Sequence, residues 1–91
     1  MARDAYSVYV LRCSDGSLYT GIAADVERRL RQHRDGVGAK YTRGRGPLQL
    51  VFVKPAADRS AALRLEHRIR QLGKRSKEDL VAGKIELTEI A

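Results

Sequence analysis

The stretch "YVLRCSDGSLYTGI", Tyr9 to Ile22, constrains the fold more than any other part of the chain. Two runs rich in aromatic and β-branched residues, Tyr6–Cys13 and Ser17–Ala23, flank Ser14, Asp15 and Gly16. That pattern specifies a β-hairpin whose register depends on the turn. A loop of Asp15 and Gly16 alone would set Tyr9 opposite Ile22 and Tyr19 opposite Arg12, with the phenols on different faces. A type I turn over Ser14, Asp15 and Gly16, with Gly16 left-handed, instead sets Tyr9 opposite Gly21 and Tyr19 opposite Leu11. Ser-Asp-Gly suits the second turn, so both phenols are expected on one face. Gly21 would then leave open space between the rings.

The segment "DVERRLRQHRDG" follows as a helix, with Asp25 as N-cap and Gly36 at the C-terminal stop. At about 100° per residue, Val26, Leu30 and His33 share its inner face, Arg29 lies on the flank, and Arg28 and Arg31 point outward. "GVGAKYTRGRGP", Gly36 to Pro47, predicts a mobile, positively charged loop whose glycines let backbone amides approach phosphates. Leu48 to Lys54 reads as a largely buried third strand ended by Pro55.

In "DRSAALRLEHRIRQLG", Ala61, Ala62, Leu65, Ile69 and Leu72 form one stripe of the longest helix, capped by Asp58 or Ser60 and stopped at Gly73. Glu66 borders that stripe and His67 faces outward. Ser76 and Asp79 imitate a capping box for a last short helix that ends at Gly83. The tail "KIELTEI" alternates apolar and polar residues and permits a final edge strand. The expected fold is α+β, a small, mostly antiparallel three-stranded sheet flanked by helices in the order β-β-α-β-α-α. One domain is expected over residues 1–91, with a core of about 5–83 and a tail of 84–91.

Charge narrows the function. With 18 Lys+Arg against 11 Asp+Glu, a net charge of +7 attracts phosphate polymers, so nucleic acid is the first partner to consider. Cys13 is the one cysteine, which excludes an intramolecular disulfide and a cysteine-based zinc site. His33 and His67 are too few for a histidine cage. "MARDAYSVYVL" has neither the charge pattern nor the apolar length of a signal peptide or membrane span, so a cytoplasmic setting without a membrane partner is expected.

These residues resemble the GIY-YIG nuclease superfamily, in its small YhbQ-like group. The likeness runs from "YVLRCSDGSLYTGI" through "ERRLRQH" and "GAKYTRGR" to "LEHRIRQLGKRSKEDLV". Tyr19-Thr20-Gly21 stands for the second family motif and Ser7-Val8-Tyr9 for the first, with serine in place of glycine. The resemblance implies that Tyr9 and Tyr19 are the paired motif tyrosines, Arg29 the catalytic arginine, and Glu66 the ligand of a single Mg2+ or Mn2+ ion. His33 would match an active-site histidine of part of the superfamily, with Gly21 in a structural role. DNA phosphodiester hydrolysis, in repair or processing, is the implied activity.

The chemistry suits those residue types. Tyr19 would orient or deprotonate water, although about one free phenol in a thousand is ionised at neutral pH and nearby positive charge is needed. Arg29 would grip a phosphate oxygen with forked donors. One glutamate is enough for a magnesium ion that keeps waters and takes phosphate oxygens. Lys40, Tyr41, Arg43 and Arg45 would contact phosphates and stack on bases in the loop. The alternatives are a non-catalytic nucleic-acid-binding module on the same fold, or an accessory protein to RNA or the ribosome in which charge alone matters. RNA is the second candidate polymer, a protein partner could supply targeting, and oligomeric state is left open.

Overall fold

The computed structural model describes residues 5–87. In chain order the elements are β1 (Tyr6–Arg12), β2 (Leu18–Ala23), α1 (Val26–Arg34), a 3-10 turn over Lys40–Thr42, β3 (Gln49–Ala56), α2 (Arg59–Arg70) and α3 (Lys74–Val81). The α+β class and the β-β-α-β-α-α order match the sequence expectation. The sheet is antiparallel with strand order β2-β1-β3.

The hairpin takes the register that the Ser-Asp-Gly turn implies. Tyr9 pairs with Gly21 and Leu11 with Tyr19, and Gly16 adopts φ +83°. Asp15 reinforces the turn, its carboxylate accepting from the Ser17 backbone N–H at 2.9 Å. Alternation along β1 then sorts two cores. Val8 and Val10 pack with Ile69, Leu80 and Leu87, under α2 and α3. Tyr9 and Leu11 pack with Cys13, Ala23 and Leu48 on the other face, with Val26 and Leu30 of α1 against them.

Several boundaries differ from expectation for tertiary reasons. Pro55 lies inside β3, opposite Ser7, and does not end it. A missing N–H is tolerated there because β3 is an edge strand. The edge position also leaves β3 half-exposed where a largely buried strand was expected. Gly73 is the N-cap of α3, not the stop of α2, which already ends at Arg70 with Gln71 as C-cap. Ser76 and Asp79 therefore fall inside α3, and no side chain caps that helix. Asp58, not Ser60, caps α2 through the Ala61 N–H. No strand forms over 84–87, where Leu87 is buried in the core; residues 88–91 of the expected tail lie outside the described residues.

α3 is tied to β1 by a forked pair, Arg12 donating to Glu78 at 2.9 and 2.7 Å. The Arg12 guanidinium holds the Glu78 carboxyl below the usual carboxylate range. A carboxylate with a lowered folded-state pKa contributes stability above its ordinary value and loses it as pH falls through the lowered one. Wild type should therefore melt above Glu78→Gln at pH 7, and the two melting curves should converge as acid titrates the pair; a difference independent of pH would refute the linkage.

Candidate active site

Three elements bring aromatic side chains to one place. β1 supplies Tyr9, β2 supplies Tyr19, and α1 supplies His33. The Tyr9 and Tyr19 ring centroids are 6.4 Å apart, and His33 lies 5.9 Å from one and 5.3 Å from the other. Tyr9 Oη and His33 Nε2 are hydrogen-bonded at 2.7 Å, and both residues are nearly fully buried. The space above Gly21 is not open as expected. The Tyr9 phenol end fills it, so a Cβ on Gly21 would sit 2.6 Å from Tyr9 Oη and 3.1 Å from Tyr19 Cε2. Glycine is required there for close approach.

Arg29 lies on the α1 flank, half-buried, with Nη1 donating to Gln32 Oε1 at 3.0 Å. Burial, the major cause, and the neighbouring Tyr19 push the Tyr9 pKa up to about 12. The Arg29 guanidinium beside it opposes that rise, and the Glu66 charge adds to it. The same tyrosine thus senses α1 and α2 together. Burial, with the Arg29 charge second, also lowers the His33 pKa, leaving a neutral imidazole at neutral pH.

Glu66 reaches this region along the β2 edge. Its side chain is 17% exposed, and Arg70 Nη2 lies 3.4 Å from its Oε2. Arg70 in turn donates to the Thr20 carbonyl at 3.1 Å. α2 therefore docks against the strand that carries Tyr19, which delivers Glu66 to the hairpin. Among the described residues there is no group of three or more His, Cys, Asp and Glu side chains suited to a metal ion. A single carboxylate does not fit zinc, but it fits a hard cation that keeps most of its waters.

The loop expected to be mobile is built into the site. Thr42 is buried, its Oγ1 lies 2.9 Å from His33 Nδ1, and Tyr41 stacks on Tyr19 with centroids 5.8 Å apart. Arg45 lies 4.4 Å over the Tyr41 ring and bonds Asp15 at 2.6 Å, pinning the loop to the hairpin turn. Lys40 and Arg43 remain exposed. All four residues expected to contact nucleic acid thus keep solvent-accessible surface, Tyr41 at 43% exposed and the Arg45 side chain at 41% even while they pack on Tyr19 and Asp15.

A cavity of about 430 Å³ beside Tyr19 is lined by Leu18, Thr20, Tyr41, Arg70 and Lys77. A second, of about 220 Å³, shares Leu18, Tyr41 and Lys77 with it and adds Lys74. The cationic surface next to the phenols therefore includes α3. Nothing in the local sequence distinguishes Lys74, Lys77 or Thr42 from ordinary surface and loop residues.

Residues 5–79 match the family model described as the GIY-YIG catalytic domain. This chain belongs to the GIY-YIG family. Its relatives include a UPF0213 protein of Cronobacter sakazakii, 56% identical over 82 residues that cover 90% of this chain and 86% of the relative. The UPF0213 protein YhbQ of Escherichia coli K12 is 59% identical over 75 residues, covering 82% and 75%. The solution structure of a UPF0213 protein from Bacillus halodurans is similar at TM-score 0.58 and 48% identity, covering 88% of this chain and 85% of that one. A protein from E. faecalis matches at TM-score 0.59 and 35% identity, covering 90% and 88%. GIY-YIG proteins are generally nucleases that use a divalent metal, so a nucleic-acid substrate follows from the family. No helix among the described residues is long and apolar enough to cross a membrane.

Proposed function

We propose that this protein is a divalent-metal-dependent endonuclease that hydrolyses phosphodiester bonds in DNA, acting in repair or processing. The observation that carries the reading is the convergence of the Tyr9, Tyr19 and His33 rings, with centroids 6.4, 5.9 and 5.3 Å apart, where the charges of Arg29 and Glu66 are felt at Tyr9. Arg29 grips a non-bridging phosphate oxygen with its fork and opposes the charge that develops there. Glu66 holds one Mg2+ or Mn2+ ion. That cation, when bound, offsets the Glu66 charge and adds Lewis-acid stabilisation at the phosphate.

The two phenols divide the work differently from the sequence expectation, which gave the water to Tyr19. Tyr9 is the phenol with a proton partner, because its Oη is bonded to His33 Nε2. As a phenolate, Tyr9 takes a proton from the attacking water, and the hydroxide adds in line to phosphorus while the P–O bond to the leaving oxygen breaks; the leaving alkoxide takes a proton from solvent water, and Tyr9 gives its own back to the hydroxide so formed. Its high pKa leaves only about one Tyr9 in 10⁵ ionised at pH 7. Neutralising Glu66 therefore removes one of the causes that hold the pKa up. Tyr19 orients the water. Lys40, Arg43, Lys74 and Lys77 hold the flanking phosphates by charge, without reading sequence.

A second reading, a nucleic-acid-binding module without hydrolysis, draws on Arg70 already occupying the Glu66 carboxylate. One experiment separates the two. Labelled duplex, flapped and single-stranded DNA is incubated with wild type and Glu66→Ala in Mg2+, Mn2+ or EDTA. The nuclease reading expects metal-dependent cutting that Glu66→Ala lowers by 10²-fold or more while DNA binding persists. Binding without cutting in every condition supports the module instead.

A further inference from the structure

His33 has a defined polar neighbour at each ring nitrogen, and the directions of those hydrogen bonds are restricted. The Ala39 backbone N–H points at Nδ1, 3.3 Å away. A backbone N–H can only donate, so Nδ1 must present a lone pair. Thr42 Oγ1 is 2.9 Å from Nδ1 and also 2.9 Å from the Ala39 carbonyl, so its single hydrogen has two acceptors in reach. The Ala39 carbonyl keeps the Thr42 backbone N–H at 3.1 Å as a donor whichever way the hydroxyl turns. With Nδ1 bare toward the Ala39 N–H, a hydroxyl hydrogen on the carbonyl would leave two lone pairs facing each other at 2.9 Å, so it turns to Nδ1. The imidazole proton then has one place left, Nε2, where it is donated to Tyr9 Oη at 2.7 Å.

We infer that Thr42 is a positioning residue that, with the Ala39 N–H, locks His33 in the Nε2–H tautomer and makes it a donor to Tyr9. The opposite tautomer would set an Nδ1–H against the Ala39 N–H and would draw the Tyr9 hydrogen onto the ring. In the locked form Tyr9 Oη receives a hydrogen bond, and its own hydrogen is not committed to His33. A phenolate at that position keeps the His33 bond and strengthens it. Gly38 holds the loop close enough for this, because a Cβ there would meet the His33 ring and lie 2.8 Å from its Cα. Thr42 and His33 are each 2% exposed, and both line a cavity of about 420 Å³ together with Pro47 and Leu48.

The tautomer stands independently of the nuclease reading; its effect on rate rests on that reading. The experiment is long-range 15N–1H correlation NMR on 15N-labelled full-length protein near neutral pH, with cleavage assayed in parallel. Wild type and Thr42→Ser should show a protonated Nε2 and an unprotonated Nδ1. Thr42→Val leaves the Ala39 N–H as the one donor at Nδ1, so it should raise the Nδ1–H fraction above that of wild type without emptying the Nε2–H form, and slow cleavage about tenfold, with Thr42→Ser restoring both. A wild-type His33 protonated at Nδ1, alone or on both nitrogens, would overturn the inference even if the valine variant fails to fold. An unchanged tautomer and rate in folded Thr42→Val would remove Thr42 from it. Absence of cleavage by wild type with the Nε2–H form intact would instead count against the nuclease reading alone.

Discussion

Tyr9→Phe should lower DNA cleavage by about 10²- to 10⁴-fold, the range that a lost general base costs. The substitution removes one oxygen and leaves the ring in its place, so the fold and DNA binding should change little. The buried His33 Nε2–H would lose its acceptor, at about 1–3 kcal/mol of stability. The pH profile is the sharper measure. With the Tyr9 pKa raised to about 12, the phenolate population grows tenfold per pH unit across the neutral range. Wild-type cleavage should therefore rise with pH, and Tyr9→Phe should flatten the rise. If Tyr19→Phe flattens it instead, the two phenols have been given each other's roles.

Gly21→Ala is the second variant with a large expected effect. The new methyl would sit 2.6 Å from Tyr9 Oη and 2.7 Å from Tyr9 Cζ, in a ring that has no room to swing because Tyr9 is 1% exposed. Overpacking of that kind costs about 1–3 kcal/mol. The phenol must move away from β2, which breaks its 2.7 Å bond to His33. Cleavage should fall 10²-fold or more, since a misplaced base loses its alignment with the water. Thermal melting and a cleavage assay on the same sample check both halves. A folded Gly21→Ala with full activity would show that the Tyr9–His33 contact is dispensable.

Much of the site was legible because it depends on short-range rules. The Ser-Asp-Gly turn sets the hairpin register, and register places Tyr9, Tyr19 and Gly21 on one face. The 3.6-residue repeat turns His33 inward and keeps Arg29 on the flank of α1. Each of these follows from residues within about ten positions of one another. Glu66 was placed by the same periodicity at the border of the α2 stripe, and its side chain is 17% exposed. Its pairing with Arg70 also follows from spacing along one helix.

What local pattern cannot reach are contacts made between distant segments. Thr42 sits in a glycine-rich basic stretch with the composition of a solvated loop, yet it is buried because the stretch folds back over His33. Arg45, read from the loop as a phosphate contact, also joins Asp15, thirty residues away. Pro55 reads as a strand terminator until β3 is known to be an edge, where a missing N–H disturbs no ladder. Gly73 serves equally well as the stop of one helix or the start of the next, and packing of α3 on the core chooses the second. The sequence by itself determined the hairpin, the helix faces and the types of residue available for phosphoryl chemistry, because turns and periodicity act over a few bonds. Only the tertiary structure decided which phenol is paired with His33 and which loop residues hold that pair, because those choices depend on where non-local segments close.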